Sequence, residues 1–334
     1  MTKICLLGAG SYGSSLAQII ALKGLDPIIW GRDATVIKSI NDNKCNPRYF
    51  PKLKFNEKVR ATTDLAEAFF NAELILFCLP TQILRSFLEK NAKSIPAEAL
   101  LVNTAKGIEQ KTLLTPGRLF ADILGHRILD RFATLSGPTF ASELFEGHPS
   151  GAAIASFNRA VAKKAQQLIS GKTFRLYTTS DLLGVELGGA LKNVMAIGTG
   201  IAEGLGFGLN TRAGLITRCL HEMTRLGVRM GANPLTFAGL SGLGDLVLTC
   251  TGSLSRNRHV GVELAGGKKL NEILTEMNSV AEGVPTASSV YELSRRYEVD
   301  MPNSEYVYRI LYEGLSPQQA LKEILSRELK DEAE

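Results

Sequence analysis

The sequence predicts an α/β fold, a doubly wound and largely parallel sheet, followed by an all-α C-terminal domain. Three observations carry this. Short apolar strands alternate with helical stretches from residue 3 to residue 177. The first strand runs straight into a glycine-rich turn, Gly8-Ala9-Gly10-Ser11-Tyr12-Gly13, which opens the first helix. After Tyr177-Thr178-Thr179-Ser180-Asp181 the strand pattern stops, and the periodicity stays helical to the end. The expected units are 1–178 and 179–334, joined without a flexible linker.

Composition narrows the classes. A chain of 334 residues can bury two cores, and 45% apolar with 21% charged residues suits a soluble globular protein. A net charge of +5 fits small anionic ligands and is too weak and dispersed for nucleic acid. No uncharged apolar run reaches the ~18 residues of a membrane span. The opening MTKICLLGAG reads as strand and turn, without the length or cleavage site of a signal peptide. Cys5, Cys45, Cys78, Cys219 and Cys250 are scattered and form no CxxC, as expected of reduced cytoplasmic thiols. His126, His148, His221 and His259 make no ligand pattern, so no metal is expected.

Residues 3–7, KICLL, form the first strand, and a helix continues to Lys23. In that setting Gly8 makes the tight turn, Gly10 lets a pyrophosphate reach the backbone, and Gly13 lets helix pack on strand. The helix start then faces the phosphate charge. The second strand, Pro27 to Trp30, ends in Gly31-Arg32-Asp33. Arg32 suits a 2′-phosphate, while Asp33 sits near the spacing of an acid that holds ribose hydroxyls. The balance favours NADPH/NADP, with NADH/NAD open. Further strands follow at 73–78, 99–103, 132–136, 152–155 and 174–177. Ligands of such sheets gather beyond the carboxyl ends of the strands. Three unusual turns fall there: Leu79-Pro80-Thr81, Thr104-Ala105-Lys106-Gly107 and Ser136-Gly137-Pro138-Thr139-Phe140-Ala141.

The second half opens with a helix spanning at least Leu182 to Ala202 that contains Gly188, Gly189, Gly198 and Gly200. Each glycine costs about 1 kcal/mol relative to alanine, so something must come very close to this backbone. Lys192 and Asn193 stand in its middle, and one turn back from Lys192 lie Gly188 and Gly189. That makes a notch free of bulk around an amine, although a snorkelling surface lysine would read the same way. Asp245, in the glycine-dense stretch 238–245 with Thr249 one turn on, needs either a lysine partner or a helix to cap. Ser255 can cap the next helix, with Arg256 and Asn257 pointing donors outward as an anion site. Glu282-Gly283-Val284-Pro285-Thr286 turns into another helix.

Taken together, the motifs GAGSYG, WGRD, TAKGIE, SGPTFASE, ELGGALKNVMAIGTGIAEGLGFGLNTRAGLITR, GLGDLVLTCTGSLSRNR and AEGVPTA resemble the bacterial-type NAD(P)-dependent glycerol-3-phosphate dehydrogenase family, nearly end to end. The resemblance implies an α/β Rossmann-like doubly wound sheet, then an all-α C-terminal domain, with the site between them. It implies reversible reduction of dihydroxyacetone phosphate to sn-glycerol 3-phosphate for phospholipid synthesis. It makes Lys192 the proton donor and acceptor, with Lys106 touching cofactor and substrate, and Asp245 and Thr249 orienting the reacting hydroxyl. Gly137 and Thr139 line the substrate. Ser255, Arg256 and Asn257 bind its phosphate. Cofactor contacts fall on Gly8, Gly10, Ser11, Tyr12, Gly13, Arg32, Lys106, Ala141, Arg256, Val280 and Glu282. Tyr12, Thr139 and Leu79-Pro80-Thr81 depart from the usual Trp, Ser and Val-Pro-Ser while keeping their chemical character.

Two other readings stand beside this one. A two-domain hydroxyacid dehydrogenase could place a carboxylate on Arg256 and Asn257. A catalytically dead dinucleotide sensor would bind cofactor without turnover, and would have no need of the lysine, aspartate and threonine set. The expected partner is a small phosphorylated molecule, with no nucleic acid and no membrane span. The state of assembly, a homodimer included, stays open.

Overall fold

The computed structural model describes residues 2–277, 280–329 and 331–332. Strands β1 (Lys3–Leu7), β2 (Asp26–Trp30), β3 (Arg60–Thr62), β4 (Ala72–Phe77), β5 (Leu100–Asn103), β6 (Phe132–Ser136), β7 (Ser150–Ala155) and β8 (Phe174–Thr179) form one sheet. Their order is β3-β2-β1-β4-β5-β6-β7-β8. All neighbours run parallel except β6 and β7. The strand order turns outward in both directions from β1 and β4, which puts the switch point at the end of β1, where the glycine turn begins. Edge strand β3 was not expected: three residues carry too little alternation to stand out from a loop.

Helices cover both faces of the sheet: α1 (Ser11–Leu22), α2 (Ala34–Asn43), α3 (Leu65–Phe69), α4 (Thr81–Asn91), α5 (Pro116–Leu124), α6 (Ala141–Glu146) and α7 (Arg159–Ile169). The inner strands read as apolar runs because they feed two cores with a period of two residues, whereas edge strand β8 buries Phe174 and Leu176 and exposes Arg175 and Tyr177. In β1, Ile4 and Leu6 enter one layer while Cys5 and Leu7 enter the other; Leu74 and Leu76 of β4 likewise oppose Ile75 and Phe77.

Beyond β8 the structure is helical: α8 (Leu182–Gly204), α9 (Leu209–Arg229), α10 (Pro234–Phe237), α11 (Asp245–Thr251), α12 (Arg256–Ala265), α13 (Leu270–Glu276), α14 (Gly283–Arg296), α15 (Pro302–Tyr312) and α16 (Pro317–Leu325). Asp181 caps α8 through Gly184 N (2.9 Å) and ties it to the start of α10 through Asn233 N (2.9 Å) and Thr236 Oγ1 (2.6 Å). Helix α8 is the central post. Its first turn, Leu182 and Val185, belongs to a core layer of the sheet, and from Leu187 onward it fills the helical core.

The glycines of α8 mark where other chain segments press on it. A Cβ at Gly200 would lie 2.1 Å from Arg258 O, and one at Gly188 would lie 2.5 Å from Ser241 O. From the other side, a Cβ on Gly261 of α12 would lie 2.1 Å from Ile197 O. So α8 and α12 cross with their backbones in contact. No single helix among the described residues is long and apolar enough to cross a membrane.

Candidate active site

The glycine turn has the shape its spacing predicts. Gly8 sits at φ +119°, a region that disfavours side chains, and a Cβ there would meet Cys78 O at 2.6 Å. Gly10 faces open space with nothing within 4 Å of its would-be Cβ, whereas one at Gly13 would strike Gly8 O at 2.2 Å. Gly10 is also the N-cap of α1 and offers no side-chain cap. The first N–H groups of α1 therefore point into space that an anion can fill. A dinucleotide pyrophosphate fits this cradle.

Across the carboxyl ends of the strands lies a buried set of charges. Asp245, 1% exposed, receives Lys106 Nζ on Oδ2 at 2.7 Å and Lys192 Nζ on Oδ1 at 3.0 Å. Lys192 also donates to Thr249 Oγ1 at 2.8 Å. The Thr249 hydroxyl gives its own hydrogen to the Asp245 carbonyl one turn back, at 2.6 Å, which leaves a lone pair for the amine. Lys106 Nζ donates to Gly137 O as well, at 2.8 Å. Lys192 is 7% exposed, so the snorkelling alternative fails. Capping is not the use of Asp245 either: the N-cap of α11 is Gly244, reached through a π-helical turn at Leu240–Gly244.

The electrostatics follow from this burial. Loss of solvent pushes the Lys192 amine down to about 8; Asp245 opposes that fall and Lys106 adds to it. The Asp245 carboxyl, which burial alone would push up, is held below its ordinary value by the two lysines. A buried carboxylate shared by two amines is a satisfied cluster.

Glycine also brings Lys106 here. A Cβ on Gly189 would lie 2.5 Å from Ser136 Oγ and 3.4 Å from Lys106 Cγ, so the stem of Lys106 crosses α8 over that bare position. The Lys106 backbone is held at both ends: its carbonyl accepts from Asn193 Nδ2 at 2.8 Å, and its N–H donates to Glu282 Oε2 at 3.0 Å. Glu282 Oε1 accepts from Thr81 N at 2.6 Å, the first helical N–H of α4. One carboxylate thus clasps two strand-end loops. Thr139 Oγ1 lies 3.0 Å from Gly137 O and 3.2 Å from the Tyr12 hydroxyl, joining the expected substrate and cofactor contacts. Ala141 begins α6, and its carbonyl accepts from Ser15 Oγ of α1 at 2.5 Å, one turn beyond Ser11.

One expected orientation is corrected. Asn257 does not point its amide outward. It is 7% exposed, donating Nδ2 to Asn193 Oδ1 at 2.8 Å and accepting Gly283 N on Oδ1 at 2.9 Å. The reason is helical phase: Asn257 is one turn before Gly261, on the face of α12 that presses into α8. Its backbone N–H and that of Arg256 remain at the start of α12, where Ser255 caps through Arg258 N at 3.2 Å. Arg256 is exposed, with no ion-pair partner among the described residues. Asp33 caps α2 through Thr35 N (3.0 Å) and Val36 N (3.2 Å), while Arg32 is exposed and unpaired among the described residues. Val280 is 51% exposed beside Glu282.

Asn193 and Glu186 were not assigned from sequence. Asn193 links the Lys106 loop to the start of α12, and its position beside Lys192 in an apolar helix was the available signal. Glu186, 4% exposed on α8, accepts from Gly117 N and Thr134 Oγ1. No group of three or more metal-ligating side chains occurs among the described residues.

A glycine turn shaped for a dinucleotide at the end of β1, with a buried lysine–aspartate cluster in the same chain, points to the class of NAD(P)-dependent oxidoreductases. Comparison narrows it. The family models for the N- and C-terminal parts of NAD-dependent glycerol-3-phosphate dehydrogenase match residues 3–162 and 181–322. Glycerol-3-phosphate dehydrogenase (NAD(P)+) of Citrifermentans bemidjiense is 46% identical over 99% of this chain and 98% of its own. That of Myxococcus xanthus is 46% identical over 98% of each chain. The crystal structure of glycerol-3-phosphate dehydrogenase from Coxiella burnetii superposes with a TM-score of 0.92 at 36% identity, covering 98% of this chain and 99% of that one. The chain belongs to the NAD-dependent glycerol-3-phosphate dehydrogenase family.

Proposed function

We propose that the protein catalyses the reversible NAD(P)-dependent reduction of dihydroxyacetone phosphate to sn-glycerol 3-phosphate, the backbone for glycerophospholipid synthesis. The observation that carries this is the seat of Lys192: an amine 3.0 Å from Asp245 and 2.8 Å from Thr249, with burial lowering it to about 8. The bound nicotinamide cofactor supplies the hydride. Lys192, charged, gives a proton to the carbonyl oxygen as it becomes an alcohol, and takes one back in the reverse direction. Its charge, with that of Lys106, stabilises the developing alkoxide in a site from which water is largely excluded. Asp245 and Thr249 hold the amine in place and orient the reacting hydroxyl.

The substrate phosphate is assigned to Ser255, Arg256 and Asn257 at the start of α12, Asn257 serving through its main chain. Gly137 and Thr139 line the carbon chain. Binding energy at the remote phosphate then positions the carbonyl for reaction. The cofactor follows the glycine turn and reaches Tyr12, Ala141, Val280 and Glu282. NADPH is the preferred form in this reading: Asp33 is committed to capping α2, and Arg32 is left for a 2′-phosphate. A cytoplasmic homodimer is part of the same proposal, checked by solution mass and fractionation.

The test is absorbance loss of NADPH and of NADH, separately, with dihydroxyacetone phosphate and with a panel of 2-keto acids. Faster NADPH consumption with dihydroxyacetone phosphate is expected. Turnover confined to the keto acids would move the protein to hydroxyacid chemistry, and cofactor binding without any turnover would make it a sensor.

A further inference from the structure

Glu186 is a buried acid that no step of the chemistry uses, and it stands where three elements meet. It lies on α8, and its Oε1 alone accepts both Gly117 N at 2.8 Å and Thr134 Oγ1 at 2.7 Å. Gly117 is in the first turn of α5, whose own N-cap residue, Thr115, makes no side-chain cap. The carboxylate therefore caps α5 from another part of the chain. A Cβ on Gly117 would come within 3.2 Å of Glu186 Oε1 and 3.0 Å of Leu182 Cδ2, so the start of α5 is pressed flat on α8.

Thr134 is in β6, three residues before Gly137, whose carbonyl receives Lys106. Lys192 follows Glu186 by six residues along α8, a rise of about 9 Å. We infer that Glu186 is a positioning residue for the proton-transfer lysine, pinning the helix that carries Lys192 to the strand that leads to Gly137. The pin sets the separation across which Lys106 and Lys192 share Asp245. The inference rests on the proposed role of Lys192. Burial pushes the Glu186 carboxyl up to about 7, against its hydrogen bonds and the nearby Arg118. Near neutrality its ionised and neutral forms both keep an acceptor at Oε1, and a glutamine supplies the same acceptor.

The experiment compares Glu186→Ala, Glu186→Gln and Thr134→Val with wild type. It reads kcat per folded site, KM, NADPH affinity, melting temperature and the pH dependence of kcat. In Glu186→Ala, kcat falls roughly tenfold or more, as misplacement at this scale commonly does. The pH limb governed by Lys192 moves, because its distances to Asp245 and Lys106 change. NADPH affinity stays within about twofold, since α1 is untouched. Glu186→Gln restores kcat to within about threefold of wild type. Should Glu186→Ala fail to fold, Thr134→Val carries the test by removing one donor, and a several-fold loss of kcat supports the pin.

Lower melting temperature with unchanged kcat and an unmoved pH limb would reduce Glu186 to a helix cap and overturn the inference. Wild type inactive on dihydroxyacetone phosphate overturns the underlying reading as well, and shows itself before any variant is compared.

Discussion

Lys192 and Asp245 meet at 3.0 Å with only 7% of the lysine and 1% of the aspartate exposed. An amine held there loses its proton far more easily than one in water, and the direction of catalysis then depends on pH. In the proposed role reduction needs charged Lys192, so its rate should fall as pH rises through about 8, and oxidation of glycerol 3-phosphate, which needs the neutral amine, should rise over the same interval. Lys192→Ala should fold and bind NADPH yet lose roughly a thousandfold or more in kcat. Near-wild-type turnover, or pH profiles that do not mirror each other, would count against the role.

Asp245→Asn tests the charge balance separately. It removes the main group that holds the Lys192 amine up, so the reductive limb moves below its wild-type position. Buried Lys192 and partly buried Lys106 also lose their shared counter-ion, and breaking a buried pair in this way typically costs about 3–5 kcal/mol. A lower melting temperature together with a displaced limb is expected. A limb that stays put would separate Asp245 from the proton chemistry.

Arg256→Ala addresses the phosphate. Arg256 is exposed and unpaired among the described residues, so its loss leaves the fold intact. KM for dihydroxyacetone phosphate should rise about tenfold or more, with little change for an unphosphorylated ketone. An equal effect on both substrates would remove Arg256 from the phosphate site.

The glycine turn separates folding from binding within one motif. Gly10→Ala adds a methyl group where nothing lies within 4 Å, so the melting temperature should hold while KM for the cofactor rises. Gly13→Ala places the same group 2.2 Å from Gly8 O and should lower the melting temperature markedly. Calorimetry and cofactor titration on the pair settle it; two variants with matching losses of stability would contradict the geometry.

Two buried acids make stability depend on pH near neutrality. Burial pushes both Glu186 and Glu222 up to about 7. The folded state therefore holds protons that the unfolded chain has already released above its ordinary carboxyl value. With more protons bound when folded, stability falls as pH rises through the interval from the ordinary value to about 7. Melting temperatures measured between pH 5 and pH 8 should decline, and Glu186→Gln should flatten part of that slope. The Lys192 amine acts in the opposite sense at higher pH, because its lowered value makes the unfolded chain the better proton binder.

What the sequence made legible was mainly local. The expected shape of the turn at Gly8, Gly10 and Gly13 follows from a strand, a turn and a helix within a few residues of one another, and the backbone has that tight turn, open face and close contact. The glycines of α8 announced close approach, though not that Ser241, Arg258 and the stem of Lys106 would be the approaching groups. Pairing Asp245 with a lysine was foreseeable because a carboxylate among apolar residues needs a cation. Sharing it between two lysines depends on contacts across more than a hundred residues. The inward direction of the Asn257 side chain was hidden for a related reason. A helix start can be read from Ser255, but which face of that helix meets α8 is decided by packing. Asp33 was read only as an acid at ribose spacing, and its capping of α2 through Thr35 and Val36 is seen only in the structure.

Helix α8 has a further consequence for the chain as a whole. Leu182 and Val185 complete a layer beneath the sheet, while Leu187 onward fills the other core, so the same rod is structural filling on both sides of the divide. Severing the backbone ahead of Leu182 would strip the amino-terminal fragment of part of its apolar lining and leave the remainder with an oily stub. A split version of this enzyme would regain turnover only by re-annealing its fragments, which makes catalysis itself a reporter of whether the two have come back together.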